Sequence, residues 1–256
     1  MKERNRFPRE NSILFSIALF LLILFLAGCG LDVYYILEPV EDVTVASNND
    51  ALSRIFSFRT NDEANTSDIY LGVTVFYKIY DSLTALTSEA TTISNACSEY
   101  TENGYNKMIQ LGYCQMKFSN PLNPTVEDAN VNRSVELRLF NEGFLKGEGR
   151  YAYPAGLKVS EVYYYDGTDI SIPLRDDGSS TFNFFPEDNS DYIFVNGKRY
   201  INSVPTSTDN DVKISSGSSS DDVWYVNAYV ASVGRLSTLT ERFSDLTPLG
   251  YIEIKD

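Results

Sequence analysis

A mainly β fold interrupted by a helical hairpin is the architecture this sequence predicts. Three observations carry it. Apolar and polar residues alternate in several short runs, the signature of a half-buried strand. Between residues 82 and 112 that period of two gives way to apolar spacings of three and four. The chain also holds 18 Tyr and 15 Phe, with Val and Thr recurring in the same runs, as pleated sheets favour.

The first strand falls at residues 55–60, where Phe56 and Phe58 share a face. NDEANTSD (61–68) reads as a polar turn into a second strand over 72–80. That strand sets Val73, Val75, Tyr77 and Ile79 on one side and Thr74, Phe76, Lys78 and Tyr80 on the other. Leu83, Leu86, Ala90, Ile93, Ala96, Cys97 and Tyr100 then mark one helix face. Asn103-Gly104 predicts its stop, and a shorter helix over 105–111 ends at Gly112. Pro121 and Pro124 break the chain before strands resume at 135–139, 159–165 and 180–185. Asn196-Gly197 predicts a tight hairpin between 192–195 and 198–201. Residues 203–222, rich in Ser and Asp, predict a mobile loop. In the last block Trp224, Val226, Ala228 and Val230 share a face of a long strand over 223–232, and Ile252 and Ile254 share a face of the closing strand.

The amino terminus has a separate logic. Lys2, Arg4, Arg6 and Arg9 precede an apolar run from Ile13 that is shorter than the roughly 20 residues of a membrane span. It ends in Leu26-Ala27-Gly28-Cys29, which resembles the lipobox of bacterial lipoproteins. The resemblance implies a signal peptide over 1–28, lipid attached at Cys29, and a membrane as partner through covalent lipid; with no Ser/Gly/Asn-rich tether after Cys29, residues 29–39 read as a short lipid-anchored stalk, the body starting within about ten residues of the bilayer or after an extended run to Pro39. Two or more acyl chains make such attachment stable where one is marginal. Gly30, Leu31 and Asp32 follow the Cys, with no Asp directly after it, which implies the outer rather than the inner membrane.

The formal net charge is −14, and residues 1–28 carry four basic and two acidic residues, so the remainder carries −16. That balance excludes nucleic acid as a partner, because phosphate binding depends on Lys/Arg clusters. Besides Cys29 the chain has Cys97 and Cys114, expected as a disulfide in an oxidising compartment and worth roughly 3 kcal/mol in the chain-entropy model; two buried free thiols are the alternative.

The strand at 55–60, the polar turn, the Tyr-bearing strand, and the late pair with its aromatic-x-Val-x-Ala rhythm resemble the outer pattern of fibronectin type III-like and immunoglobulin-like sandwiches. The implied fold is one such β-sandwich over 40–256, with an insertion around 81–222 that holds a helical hairpin (82–112) and extra strands; two β-domains sharing that middle region are the alternative. The length of that middle region, and a Cys pair that does not join the two candidate sheets, depart from the family pattern.

The chain has no His, which excludes Ser-His-Asp and Cys-His nucleophile pairs and HExxH zinc sites. It has no SxxK, phosphate loop or CxxC. Acidic clusters at 166–169, 176–177, 187–191, 209–211 and 221–222 lack the spacing of a calcium loop and read as solvated loop tips. The Tyr163-Tyr164-Tyr165 run can put at most two rings on one face of a strand, so packing is favoured over a sugar platform. No catalytic residue, cofactor or metal site is expected. The expected function is a lipid-anchored envelope module that binds a protein or glycan of the envelope or host. The alternatives are a His-independent carboxylate hydrolase and a calcium-dependent adhesin.

Overall fold

The computed structural model describes residues 35–97, 101–166, 169–176, 183–184, 192–195, 198–201, 205–215 and 223–255. The signal-like segment and Cys29 lie outside these residues. A compact unit spans Ile36–Asp256. Its elements run β1 (Glu41–Thr44), β2 (Phe56–Arg59), β3 (Tyr70–Tyr80), α1 (Leu83–Cys97), α2 (Thr101–Gln110), β4 (Cys114–Gln115), β5 (Lys117–Phe118), β6 (Val126–Glu127) and β7 (Ser134–Arg138). There follow β8 (Glu142–Leu145), β9 (Arg150–Tyr153), β10 (Gly156–Val159), β11 (Val162–Tyr163), β12 (Tyr165–Asp166), β13 (Asp169–Ile170) and β14 (Pro173–Leu174). The chain closes with β15 (Tyr192–Val195), β16 (Lys198–Ile201), β17 (Val212–Lys213), β18 (Val223–Arg235), β19 (Glu241–Phe243) and β20 (Thr247–Lys255).

Two sheets pack face to face. One has five strands in the order β1-β2-β7-β10-β11. The other has seven: β3 and β18 pair antiparallel at its centre, β20 and β19 follow on the far edge of β18, and β17, β4 and β6 line the far edge of β3. The alternation read from the sequence decides what meets between them. Phe56, Phe58, Val135, Leu137 and Leu157 of the first sheet interlock with Val73, Val75, Tyr77, Ile79, Val226, Ala228, Val230, Ile252 and Ile254 of the second.

The opposite face of the seven-stranded sheet is covered as well. Phe76 and Tyr80 of β3, with Tyr229, Ala231 and Val233 of β18, pack under Leu86 and Ile93 of α1 and Met108 of α2. The result is a mostly β body, a sandwich with a two-helix insert laid on its back. The insert differs from expectation at Gly104, which sits inside α2 rather than ending α1. A Cβ there would lie 2.2 Å from Cys97 Sγ, so the glycine lets the two helices approach.

Covering both faces buries polar residues of β3. Lys78 is 5% exposed. Its ammonium is 2.7 Å from Glu89 Oε2 and also donates to the Leu111 carbonyl. Tyr80 donates to the same carboxylate at 2.8 Å and stands 3.0 Å from the Tyr113 hydroxyl, which accepts from Asn227 Nδ2 at 2.7 Å. Lys78 lies over both tyrosine rings. Burial holds the Tyr80 and Tyr113 phenols above their ordinary range.

Several expectations change. The turn at 61–68 is not a solvent loop: Asn61, Asp62 and Asn65 are buried, and Asn65 Nδ2 donates to the carbonyls of Glu38 and Asn61. Leu37 packs with Ile69 and Tyr70, so the packed body begins short of Pro39. Residues 159–165 do not form one strand. Ser160 and Glu161 take φ of 52° and 66°, a two-residue turn that folds β11 back on β10. β15 and β16 pair as expected across Asn196-Gly197, which lie outside the described residues, as does most of 180–185. The segment expected as a mobile loop supplies β17, parallel to β3. β7 belongs to the sandwich itself, so the insertion is split in two around it.

Two substitutions test this packing. Glu89→Ala strands the Lys78 ammonium in the core, and breaking a buried pair costs about 3–5 kcal/mol. Urea unfolding should show a loss of that order. Gly104→Ala gains up to ~1 kcal/mol in helix propensity but overpacks a site where such crowding costs about 1–3 kcal/mol. The melting temperature should fall, and Cys97→Ala in the same chain should restore it.

Candidate functional site

The outer face of the five-stranded sheet carries the polar half of its strands. Register sets Ser57, Glu136, Lys158 and Tyr163 in one row across β2, β7, β10 and β11. Arg138, two residues along β7, lies opposite Gly156. Tyr153 and Pro154 come from the end of β9 and the link to β10, and Leu52 and Ile55 from the segment before β2. All of these except Ser57 line a groove of about 450 Å³. That volume falls within the roughly 300–1,000 Å³ range of small-ligand sites.

The charged side chains at the groove are paired. Arg138 donates to the carbonyls of Ala51 and Leu52 and to Glu142 Oε2 at 3.1 Å. Arg54 takes the other oxygen of Glu142 at 3.0 Å. Burial holds the Glu142 carboxyl above its ordinary range, and the two arginines oppose that shift. Burial likewise lowers the Arg138 guanidinium, with Glu142 opposing. With both oxygens gripped by cations, Glu142 is a structural anchor rather than a free acid. At the open end Lys158 Nζ is 3.3 Å from Glu136 Oε2, both side chains about one-third exposed.

Each cation also lies over an aromatic ring. The Arg138 guanidinium is 5.2 Å from the Tyr153 centroid, and Lys158 Nζ is 5.0 Å from that of Tyr163. Gly156 has φ of +153°, and a Cβ there would stand 2.5 Å from Ile170 Cγ2 and 3.4 Å from Tyr163 Cδ1. Its lack of a side chain lets β11 and β13 close against the groove floor.

The residues expected to matter fall elsewhere. Cys29 lies outside the described residues. Cys97 and Cys114, expected as a pair, are free thiols. Cys97 packs with the helix-side core, while Cys114, in register with Tyr77, packs with the inter-sheet core, so the seven-stranded sheet stands between them. Burial pushes the Cys114 thiol up to about 11. Of the tyrosine triplet only Tyr163 lines the groove, while Tyr164 and Tyr165 are partly exposed outside it, at 39% and 52%.

The acids at 209–211 are not solvated loop tips. Asp211 is fully buried and takes Arg175 side-on, Nε at 3.1 Å and Nη2 at 2.9 Å, while Asp209 takes Nη2 at 2.6 Å. Tyr77 donates to Asp211 at 2.7 Å, tying this clamp to β3. These two carboxylates share one buried guanidinium, and Asp209, the more exposed of the two, faces solvent in part. Among the described residues, no group of three or more His, Cys, Asp and Glu is placed to hold a metal ion. Among the same residues, no helix is long and apolar enough to cross a membrane.

Sequence reasoning passed over Tyr153, Glu136, Arg138 and Lys158. Its one available signal was the clean alternation at 135–139, whose polar members Glu136 and Arg138 form the groove floor. No protein-family model, curated protein or solved structure matches the chain.

Arg138→Lys keeps the charge but not the fork that spans two carbonyls and a carboxylate. We expect a loss of about 2 kcal/mol and faster proteolytic nicking at residues 50–53, read by timed digestion and gel.

Proposed function

We propose that this chain is a lipid-anchored binding module of a bacterial envelope, on the outer membrane, tethered through Cys29 and presenting the groove of the five-stranded sheet to a protein or glycan partner. The observation that carries the anchoring is the run ending in Leu26-Ala27-Gly28-Cys29 behind a positive start. The burial of Leu37 agrees with it: only a few residues separate the attachment sulfur from the packed body, so the body would ride close to the bilayer. The groove supports the binding half of the reading, because a concave patch with held aromatic rings and fixed polar groups is the usual form of a ligand site.

We read the sandwich as a divergent immunoglobulin/fibronectin III-like domain. The order β1-β2-β7 facing β3-β18-β20 supports this, since it matches strands A-B-E facing C-F-G of that fold. β10 occupies the place of strand D beside β7 but follows it in the chain. The helical hairpin then belongs to the connection from C to E, and the strands from β8 to β17 to the connection from E to F.

The anchoring is tested by Cys29→Ser in the native bacterium. The wild-type chain should partition into the membrane fraction and into detergent phase, and mass spectrometry should find acyl chains on its first residue. The variant should keep its signal segment or appear in the soluble fraction. Equal membrane retention of both chains would defeat the assignment.

A further inference from the structure

The chemistry of the groove selects among partners, and we infer that its ligand is an uncharged glycan. This rests on the binding-module reading and narrows it to one class.

Charge is the first discriminator. Arg54, Arg138 and Lys158 at the groove are balanced by Glu142, Glu136 and Asp50, the last acting on Glu142 through its charge. With cations and carboxylates matched, neither an anionic nor a cationic ligand gains from the site. The second discriminator is the floor. A row of Glu136 and Lys158 with open valences does not suit an apolar ligand. Lys158 spends one donor on Glu136, leaving two. Among the described residues neither the Tyr153 nor the Tyr163 hydroxyl has a hydrogen-bond partner. Donors and acceptors are therefore interleaved over a short distance, as adjacent sugar hydroxyls require.

The rings supply the remaining element. Tyr153 and Tyr163 are both half-buried, and each is held by a cation over its face. Each ring gives one face to its cation, and its remaining exposed surface offers an already ordered platform to the apolar C–H face of a pyranose, with little ordering cost on binding. The groove runs over a sheet face, not along an open strand edge, so it offers no ladder of backbone groups to an added peptide strand.

The test uses the full-length lipidated protein in detergent micelles, titrated calorimetrically with maltohexaose, cellohexaose, chitohexaose and mannohexaose. At least one should bind, and raising the salt should leave its affinity within twofold. Tyr153→Ala and Tyr163→Ala should each weaken that affinity at least tenfold, and Glu136→Gln at least threefold, in variants that keep the circular dichroism spectrum and cooperative unfolding of the parent chain. Silence with all four sugars, salt-sensitive binding of a sulfated glycan instead, or binding that survives both tyrosine substitutions would overturn the proposal. The Cys29→Ser chain, purified from whichever fraction it reaches, should bind the same sugar equally well. A failed anchor therefore shows in fractionation alone, and a failed ligand class in calorimetry alone.

Discussion

β3 is a strand with no solvent face, and the rest of the structure answers that constraint. Its odd-numbered residues from Val73 to Ile79 meet the five-stranded sheet, and Phe76 and Tyr80 meet the helices. A strand covered on both sides cannot sit at a surface, so two further layers have to be supplied. β2 and β7 supply one and the hairpin of α1 and α2 the other. That hairpin is inserted between β3 and β4, which are themselves neighbours in the sheet. It leaves the sheet and returns to it within one excursion.

The same constraint explains where the polar side chains went. Lys78 on one face of β3 and Tyr77 on the other both carry polar groups inside the body. Each is resolved by reaching a partner from a different segment: Glu89 of α1 for Lys78, and Asp211 beside β17 for Tyr77. Arg175 completes the second arrangement, and its bidentate contact with Asp211 joins the end of β14 to the start of β17. Buried ion pairs of this kind contribute little net stability over apolar packing, but they penalise any alternative register in which one partner is left alone. Here they fix the register of a parallel strand of only two residues, β17, which has few hydrogen bonds of its own.

The sequence made legible whatever depends on side-chain period. β3, β7, β18 and β20 declared themselves by alternation, α1 by its apolar face, and the pairing of β15 with β16 by the Asn-Gly turn. It did not disclose what depends on register or on residues distant in the chain. Lys78 read as one member of an alternating strand, because its partner Glu89 lies on the helix that follows. Asp209 and Asp211 read as loop acids because their partner, Arg175, is more than thirty residues upstream. Gly104 looked like a helix stop because the local rule is the same for a cap and for a close helix crossing, and only the position of Cys97 decides between them. The groove was hidden for the same reason. Glu136 and Arg138 were visible as the outward half of a strand, but Lys158 joins them only through the pairing of β10 with β7, and Tyr153 only where the link from β9 to β10 meets the groove.

The separation of the two thiols has a meaning for biogenesis. Under the export we propose, the chain would meet oxidants while still unfolded, when Cys97 and Cys114 are close neighbours along a short flexible stretch and exchange freely. Once β4 has docked on β3, a whole sheet lies between the sulfurs and the link is out of reach. An oxidised chain is therefore one that was caught before docking, and it stays unable to seat β4 until it is reduced. The order of events is set by competition between strand docking and thiol oxidation, which makes reducing capacity in the compartment a determinant of yield.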